Sequence, residues 1–343
     1  METWIDLNTV NLLGRVDSRI DKEDLVKSIC RDYGVGRLVS FNQIHEGFED
    51  YNIKLRTTKG MFLLKVFSQY KSFRHVKDNV LGLEEFRKAG VRVPKLHKSR
   101  SGKILYTYET QDSMALACLM EFFRGRSFYN VKREPSLVEI KDLVVDIAKI
   151  NSVKFRPKGI YDVWVVQNLE SEFAKKKRFL EKEDLNLMSS ILPKVKAIDY
   201  NKCTKGTIHN DIQRSNVLVD STGDMKIIDF SVMEYHAVSI ELATFLALFC
   251  INPLDSCVRR AVDICVCVVK EYMKIKALNP YDIKVLPDLM RGIYAANNLA
   301  ATYEFKGKGA DNEETQYWIR LGRRGMHLMV RIQPELRRAL RTL

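Results

Sequence analysis

Apolar residues recur at 25, 26, 29 and 30 within residues 21–33 (DKEDLVKSICRDY), the spacing of one helix face, and Gly34 and Gly36 close the run. Beyond it the period changes from helix to strand. Residues 37–67 hold three strand-like segments, RLVSFNQI, YNIKLRTT and MFLLKVF, separated by HEGFED and by the tight-turn pair Lys59-Gly60. Helical spacing returns over residues 72–89, with Phe73, Val76, Val80, Leu83 and Phe86 on the apolar side, until GVRVP stops it. Two more strand candidates follow, KILYTYE and SMALACLMEFF, and then Arg124-Gly125-Arg126. From Ser136 onward the pattern is helical almost throughout. The exception is residues 207–230, TIHNDIQRSNVLVDSTGDMKIIDF, where two β-like runs flank a turn at residues 221–224. The expected class is α+β and bilobal. A small lobe of about five antiparallel strands and one main helix spans residues 1–119, a connector spans 120–125, and a larger, mostly helical lobe spans 126–343.

Size and composition are consistent with this division. A chain of 343 residues can bury a substantial core and favours two lobes. The longest apolar run, LATFLALFCI at residues 242–251, is about half the ~20 residues a membrane-spanning helix needs. It reads as a buried core helix. The N-terminal METWIDLNTVNLL has no basic stretch ahead of an apolar core, so no secretory signal is read there and a cytoplasmic protein is expected. The seven cysteines are an odd number, scattered inside apolar segments, as expected of reduced thiols used as small hydrophobes. Cys265 and Cys267 would point to different sides of a helix, which disfavours a metal site.

The formal charge of +13 opens nucleic acid, a membrane surface or a small anion as partners. Two basic clusters, KKKR at residues 175–178 and the stretch 320–341, lie in helical patterns with apolar residues on the other face. No nucleic-acid-binding motif accompanies them, so solvated helix faces are the favoured reading and nucleic acid is disfavoured. A positive field also suits an enzyme that handles ATP.

The strand–loop–strand at residues 207–230 carries the chemistry. Asp211 precedes Asn216 by five residues, and a hairpin then brings Asp229 to the end of the second apolar run. Two carboxylates and an amide oxygen so gather at one edge of a β-hairpin. Mg²⁺ takes oxygen ligands and is usually held by one or two side chains together with substrate phosphates. Asn216 and Asp229 suit that task. Asp211, left off the metal, can accept a hydroxyl proton, and phosphoryl transfer asks for little more than positioning and charge neutralisation. His209 is expected to brace the loop. A polar turn beside two core strands is the competing account, but H-x-D-x₄-N followed by I-I-D-F on such a framework is far more specific than an isolated H-x-D. Lys65 interrupts the apolar strand FLLKVF and must reach water or an anion. Edge lysine and phosphate ligand are evenly matched until the downstream loop favours the second.

These segments resemble the aminoglycoside phosphotransferase and choline kinase superfamily, relatives of the protein kinases, over most of the chain. The resemblance implies a protein-kinase-like fold, ATP and Mg²⁺ as cofactors, Asp211 as catalytic base with His209 and Asn216 beside it, and Asn216 and Asp229 as metal ligands. Residues 41–67 are similar to the family's nucleotide-covering hairpin, which would place Gly47 over the phosphates and make Lys65 the phosphate lysine. Residues 119–127 (LMEFFRGRS) resemble the hinge, where the backbone of Glu121, Phe122 and Phe123 would meet the nucleotide base. Some features depart from the pattern. The covering loop has a single glycine, with Glu46, Glu49 and Asp50 adding negative charge nearby. The acidic partner of Lys65 falls near Asn79, and Asp78 is favoured. Ser231 follows Asp229-Phe230 where protein kinases have glycine. Glu241, in the segment where the family usually places aspartate, is expected to be structural.

No A-P-E follows Asp229, and a helix starting near Val238 leaves little room for a peptide-docking segment. A small acceptor hydroxyl is therefore expected, of the aminoglycoside, choline, homoserine or sugar-like kind, with the homoserine kinase-like metabolic branch favoured by resemblance. Tyr294, Asn297, Asn298, Tyr303 and Glu304 could line its groove, although a half-buried helix with locally satisfied polar groups is the better account. Asn151 and residues 161–164 are open in the same way. The alternatives are an atypical protein kinase and a catalytically silent nucleotide- or nucleic-acid-binding pseudokinase.

Overall fold

The computed structural model describes residues 16, 17, 19–44, 50–253 and 257–343. They divide into two compact units. The first draws its described residues from Met1–Lys88, Arg92–Gly125 and Asp220–Ile228, the second from Ala89–Val91, Arg126–Val219 and Asp229–Leu343.

In the first unit, helix α1 (Lys22–Tyr33) starts where the Asp21 carboxylate accepts the amides of Glu23 and Asp24, and ends on Gly34 in the left-handed conformation. Five strands follow: β1 (Leu38–Ile44), β2 (Tyr51–Thr57), β3 (Gly60–Val66), β4 (Tyr106–Glu109) and β5 (Met114–Glu121). They form one antiparallel sheet in the order β1-β2-β3-β5-β4. Helix α2 (Phe73–Lys88) lies between β3 and β4 in sequence. Alternation along the strands separates two cores. Ile53, Leu55, Phe62, Leu64, Ala117 and Leu119 pack with Leu25, Val26 and Ile29 of α1. Leu63, Leu116, Cys118 and Met120 pack with Val76 and Val80 of α2. Each fully buried Val, Leu, Ile or Phe among them contributes ~1.5–3 kcal/mol. Lys65 follows Leu64, so it emerges on the α2 side.

The sequence placed all of residues 126–343 in one helical lobe, but Asp220–Ile228 belongs to the first unit. Its strand β9 (Met225–Ile227) is tied there by the Ile227 amide, which donates to the Arg92 carbonyl at 2.8 Å. The expected turn is present. Asp220 Oδ1 accepts the amides of Thr222 and Asp224.

In the second unit β6 (Arg126–Ser127) pairs antiparallel with β8 (Val217–Val219), and β7 (Lys205–Ile208) with β10 (Glu234–Ala237). The helices are α3 (Phe128–Val131), α4 (Leu137–Ile150), α5 (Leu169–Lys176), α6 (Lys182–Lys196), α7 (Val238–Phe245), α8 (Val258–Met273), α9 (Pro280–Lys308) and α10 (Glu313–Leu340). Helix α7 is buried throughout and runs into a π-helical turn, Leu246–Cys250. The apolar run at 242–251 is thus the core helix expected of it, and no helix of the described residues is long and apolar enough to cross a membrane.

Strand β7 leads into the segment 209–216, and its position is fixed by close contact with the end of α4. Asn151 is buried there, donating from Nδ2 to the Thr207 carbonyl at 2.8 Å and accepting the Tyr272 hydroxyl at 2.8 Å. Its role is structural. A Cβ on Gly206 would lie 2.3 Å from the Asn151 carbonyl oxygen. The obstacle is backbone, so no rotamer change relieves it. Gly206→Ala is expected to destabilise the second unit by ~1–3 kcal/mol. Thermal melts checking this should show a clear drop in midpoint, and an unchanged midpoint would contradict the packing described.

Candidate active site

The second unit holds the loop that follows β7. Ile208 and His209 are fully buried. The His209 ring lies 4.4 Å from the Phe230 ring, and its Nδ1 accepts the Asp211 amide at 3.3 Å. Those contacts suit a brace. Asn210 takes a left-handed backbone conformation at φ 69°, one that asparagine tolerates better than most residues. Its amide donates to Glu241 Oε2 at 2.9 Å, and its side chain donates to Glu234 Oε1 at 3.0 Å. Gln167 donates to the same Glu234 oxygen at 2.7 Å and also reaches Asn210. Arg214 clamps the middle of the loop with paired hydrogen bonds to Glu134 and one to the Phe249 carbonyl.

Asp211 and Asn216 come together. Asn216 Nδ2 donates to Asp211 Oδ2 at 2.7 Å and to the Asp211 carbonyl at 3.0 Å. Asp229, also left-handed at φ 63°, turns the chain after the first unit's last strand. Burial pushes the Asp211 carboxyl well above the usual range, and the neighbouring charges of Asp229 and Asp162 push it further, against the opposing hydrogen bonds of Asn216 and Gln213. Three carboxylates therefore share one electrostatic environment, which a divalent cation would relieve.

The donor set fits such an ion. Asn216 commits its amide nitrogen to Asp211, leaving the Oδ1 oxygen as the atom available to a cation, and Asp229 adds carboxylate oxygens. No cluster of three or more His, Cys, Asp or Glu able to hold a metal occurs among the described residues. An ion here would need phosphate oxygens or water to complete its shell, the usual habit of Mg²⁺.

The first unit holds the nucleotide-side candidates. Lys65 Nζ lies 3.0 Å from Asp50 Oδ2, and Lys71 Nζ lies 2.9 Å from the same oxygen. Burial raises the Asp50 carboxyl, but Lys71 and Lys65 outweigh it and hold this group well below the carboxylate range. The sequence put the acidic partner of Lys65 at Asp78 on α2. The structure adds Asp50, one of the acids that the sequence places beside the covering loop. Its identity as a partner is a property of cross-strand register, with Asn52 opposite Lys65, and no local pattern announces it. Asp78 lies one turn past His75 and acts electrostatically on that buried ring. Gly47, Glu46 and Glu49 fall outside the described residues. At the expected hinge, the Glu121 amide donates to the Lys95 carbonyl at 2.9 Å and is thereby already committed. Lys54 sits 4.8 Å over the Phe122 ring, and Lys226 lies 3.6 Å from the Glu121 carboxylate.

Tyr294, Asn297 and Asn298 of α9 are interior, in line with the packed helix favoured over an acceptor groove. Tyr294 is fully buried with its hydroxyl on the Ala247 carbonyl, Asn297 bonds back to Ile293, and Asn298 reaches the Ile319 carbonyl on α10. Gly322 and Gly325 of α10 make room for Tyr294 and Asn298. Residues 161–164 have other surroundings. The Asp162 charge is felt at Asp211, the Trp164 amide donates to Asp162 Oδ1 at 2.7 Å, and the Trp164 ring meets Trp318 edge-on at 6.5 Å. Half of the first basic cluster is paired within the fold. Lys175 and Lys176 both pair with the buried Glu172. In the C-terminal stretch Arg323 pairs with Asp184 and Arg337 with Asp288.

A family model described as the phosphotransferase enzyme family matches residues 40–263. A homoserine kinase of Methylobacillus flagellatus is 23% identical over 223 residues, covering 65% of this chain and 67% of the relative. Among solved structures, an amicoumacin kinase in complex with AMP-PNP, Ca²⁺ and Ami superposes with a TM-score of 0.64 at 16% identity, covering 90% of this chain and 94% of that one. A microcompartment-associated aminopropanol kinase gives 0.63 at 17% identity, covering 92% and 98%. These likenesses establish a kinase-like fold.

Proposed function

The chain belongs to the phosphotransferase enzyme family and is a small-molecule kinase, and from that premise we propose that it moves the γ-phosphate of ATP to the hydroxyl of a small alcohol that also carries an ammonium group. The observation that supports the acceptor class is Asp162, whose negative charge is felt at the candidate base Asp211 while its own segment presents Trp164 against Trp318. A carboxylate acting on the base favours a cationic acceptor by charge, and the Trp164 ring in the same segment offers a quadrupole that a cation also favours. Homoserine and aminopropanol, named in the relatives, are both alcohols of this type.

In the proposed mechanism Asp211 accepts the acceptor's proton as the acceptor oxygen bonds to the γ-phosphorus and the bond from that phosphorus to the β–γ bridging oxygen breaks, releasing ADP. The loose transition state asks that the attacking oxygen be aimed and the phosphoryl charge neutralised. Glu241 holds the backbone just before the base by accepting the Asn210 amide, His209 accepts the amide of Asp211 itself, and Asn216 fixes the Asp211 carboxylate through its amide. Asn216 Oδ1 and Asp229 would hold Mg²⁺, which when bound screens the phosphate oxygens. Lys65 is assigned to phosphate binding in the first unit. Residues 230–237, half of them strand β10, are all that separates Asp229 from α7, which fits a small acceptor better than a polypeptide.

The test is transfer from [γ-³²P]ATP with Mg²⁺ to homoserine and aminopropanol, set against neutral alcohols of equal size. Label is expected in the ammonium-bearing alcohols. Asp162→Asn should raise the acceptor KM by about tenfold with little change in the ATP KM. Equal labelling of neutral alcohols would overturn the acceptor class, and label confined to protein would overturn the small-molecule assignment.

A further inference from the structure

We propose that Lys71 is a positioning residue for the nucleotide: it keeps Asp50 neutralised, so that Lys65 can turn from that carboxylate to a phosphate. The inference rests on the assignment of Lys65 to phosphate binding given above.

Asp50 is the hub. Its side chain is only 3% exposed. Oδ1 accepts the Ser68 amide at 3.0 Å, and Oδ2 faces both ammonium groups, Lys65 at 3.0 Å and Lys71 at 2.9 Å. The two lysines are not equivalent. The Lys65 side chain is 14% exposed and lies on strand β3, whereas the Lys71 side chain is 5% exposed. Lys71 also sits in a turn pinned by its own amide on the Ser68 carbonyl and by the Tyr70 amide on Ser68 Oγ. Lys71 is thus the fixed partner and Lys65 the one with access to solvent.

A single buried carboxylate poses a problem for a phosphate-binding lysine. Each time the ammonium moves toward phosphate, the carboxylate is left as a buried, uncompensated charge, and that cost opposes nucleotide binding. A second ammonium on the same oxygen removes the cost. Other groups facing the hub leave this balance intact. His75 is buried on α2, is held neutral with its pKa near 4 by burial and by Lys71, and hydrogen-bonds Asn79, while Asp78 is the further acid acting on it. The arrangement then carries two positive charges around one negative charge, a net positive site suited to phosphate. Nothing in the linear pattern marks Lys71, since SQYKSF reads as an exposed turn.

The experiment measures ATP binding by calorimetry and the ATP KM in turnover. Lys71→Met should leave Lys65 held on Asp50, weakening ATP by about tenfold with a smaller change in kcat. Adding Asp50→Asn to Lys71→Met should restore much of the lost affinity, because the carboxylate that traps Lys65 is gone. Lys71→Arg, which keeps the charge, should bind ATP nearly as wild type does. A Lys71 with a purely structural role would make the double variant at least as impaired as the single one. Wild-type affinity in Lys71→Met, a double variant no better than the single, or Lys71→Arg as impaired as Lys71→Met would each overturn the proposal. Lys65→Ala separates the layers. If it binds ATP as wild type does, the assignment of Lys65 fails. If it weakens ATP while Lys71→Met does not, only the role of Lys71 fails.

Discussion

Asp211→Asn is expected to lower phosphoryl transfer by ~10²–10⁴-fold, the range a positioned general base contributes, while ATP affinity changes by less than about threefold. The substitution is close to isosteric. Oδ2 of Asp211 now accepts the Asn216 amide, and an asparagine can offer its own oxygen to the same donor, so the loop should keep its form. What is lost is the ability to take the acceptor's proton. Burial and the charges of Asp229 and Asp162 already raise the basicity of this carboxyl, which helps a base and would hinder a simple cation ligand. The measurement is steady-state turnover on the best ammonium-bearing alcohol, with nucleotide binding followed separately. Undiminished kcat would remove Asp211 from the chemistry. A large loss of ATP affinity with unchanged kcat would instead make it a nucleotide ligand. Asn216→Ala supplies a contrast, since it removes both the amide that fixes Asp211 and the oxygen proposed for Mg²⁺, and should raise the Mg²⁺ requirement as well as lower kcat.

The residues that were legible in the sequence are those whose role is local. Strand period two marked β1, β2, β3, β4 and β5, and alternation alone predicts that Lys65 leaves the sheet on the face opposite Leu64. Likewise H-x-D-x₄-N places Asp211 and Asn216 five residues apart, close enough for the amide of one to bond the carboxylate of the other. The partners set by tertiary structure were not legible. Asp50 meets Lys65 because of register between β2 and β3, and Glu234 meets Gln167 across 67 residues. Sequence spacing also cannot tell a polar groove from a polar interior. Tyr294, Asn297 and Asn298 have the spacing of a lined cleft, yet two glycines on α10 let that helix close over Tyr294 and Asn298. A small residue on a distant helix decided the matter, and no window around α9 contains it.

Glu241 carries the second large effect, because it joins loop geometry to pH. It is fully buried on α7, and Oε2 accepts the Asn210 amide at 2.9 Å. Burial drives its carboxyl up to about 7, with the hydrogen bonds from Asn210 and His209 offsetting only part of that rise. The folded chain so holds a proton on Glu241 that the unfolded chain, with an ordinary value near 4.5, gives up earlier. Between those two values the native state binds more protons than the unfolded state, so stability falls as pH rises. The contribution is complete below about 4.5 and gone above about 7, a loss of ~3 kcal/mol over the window. Glu241→Gln keeps an acceptor oxygen for the loop amides but cannot titrate. Its unfolding free energy, measured by urea titration from pH 4.5 to 8, should therefore decline less steeply than that of wild type, the difference accumulating within this window. Identical slopes would mean that Glu241 is ionised in the native state throughout. Glu241→Leu should be worse at every pH. It leaves the amides of His209 and Asn210 buried beside an apolar side chain, at ~1–3 kcal/mol for each unpaired donor, and it frees the backbone that leads into the base, so turnover should fall even where the protein remains folded.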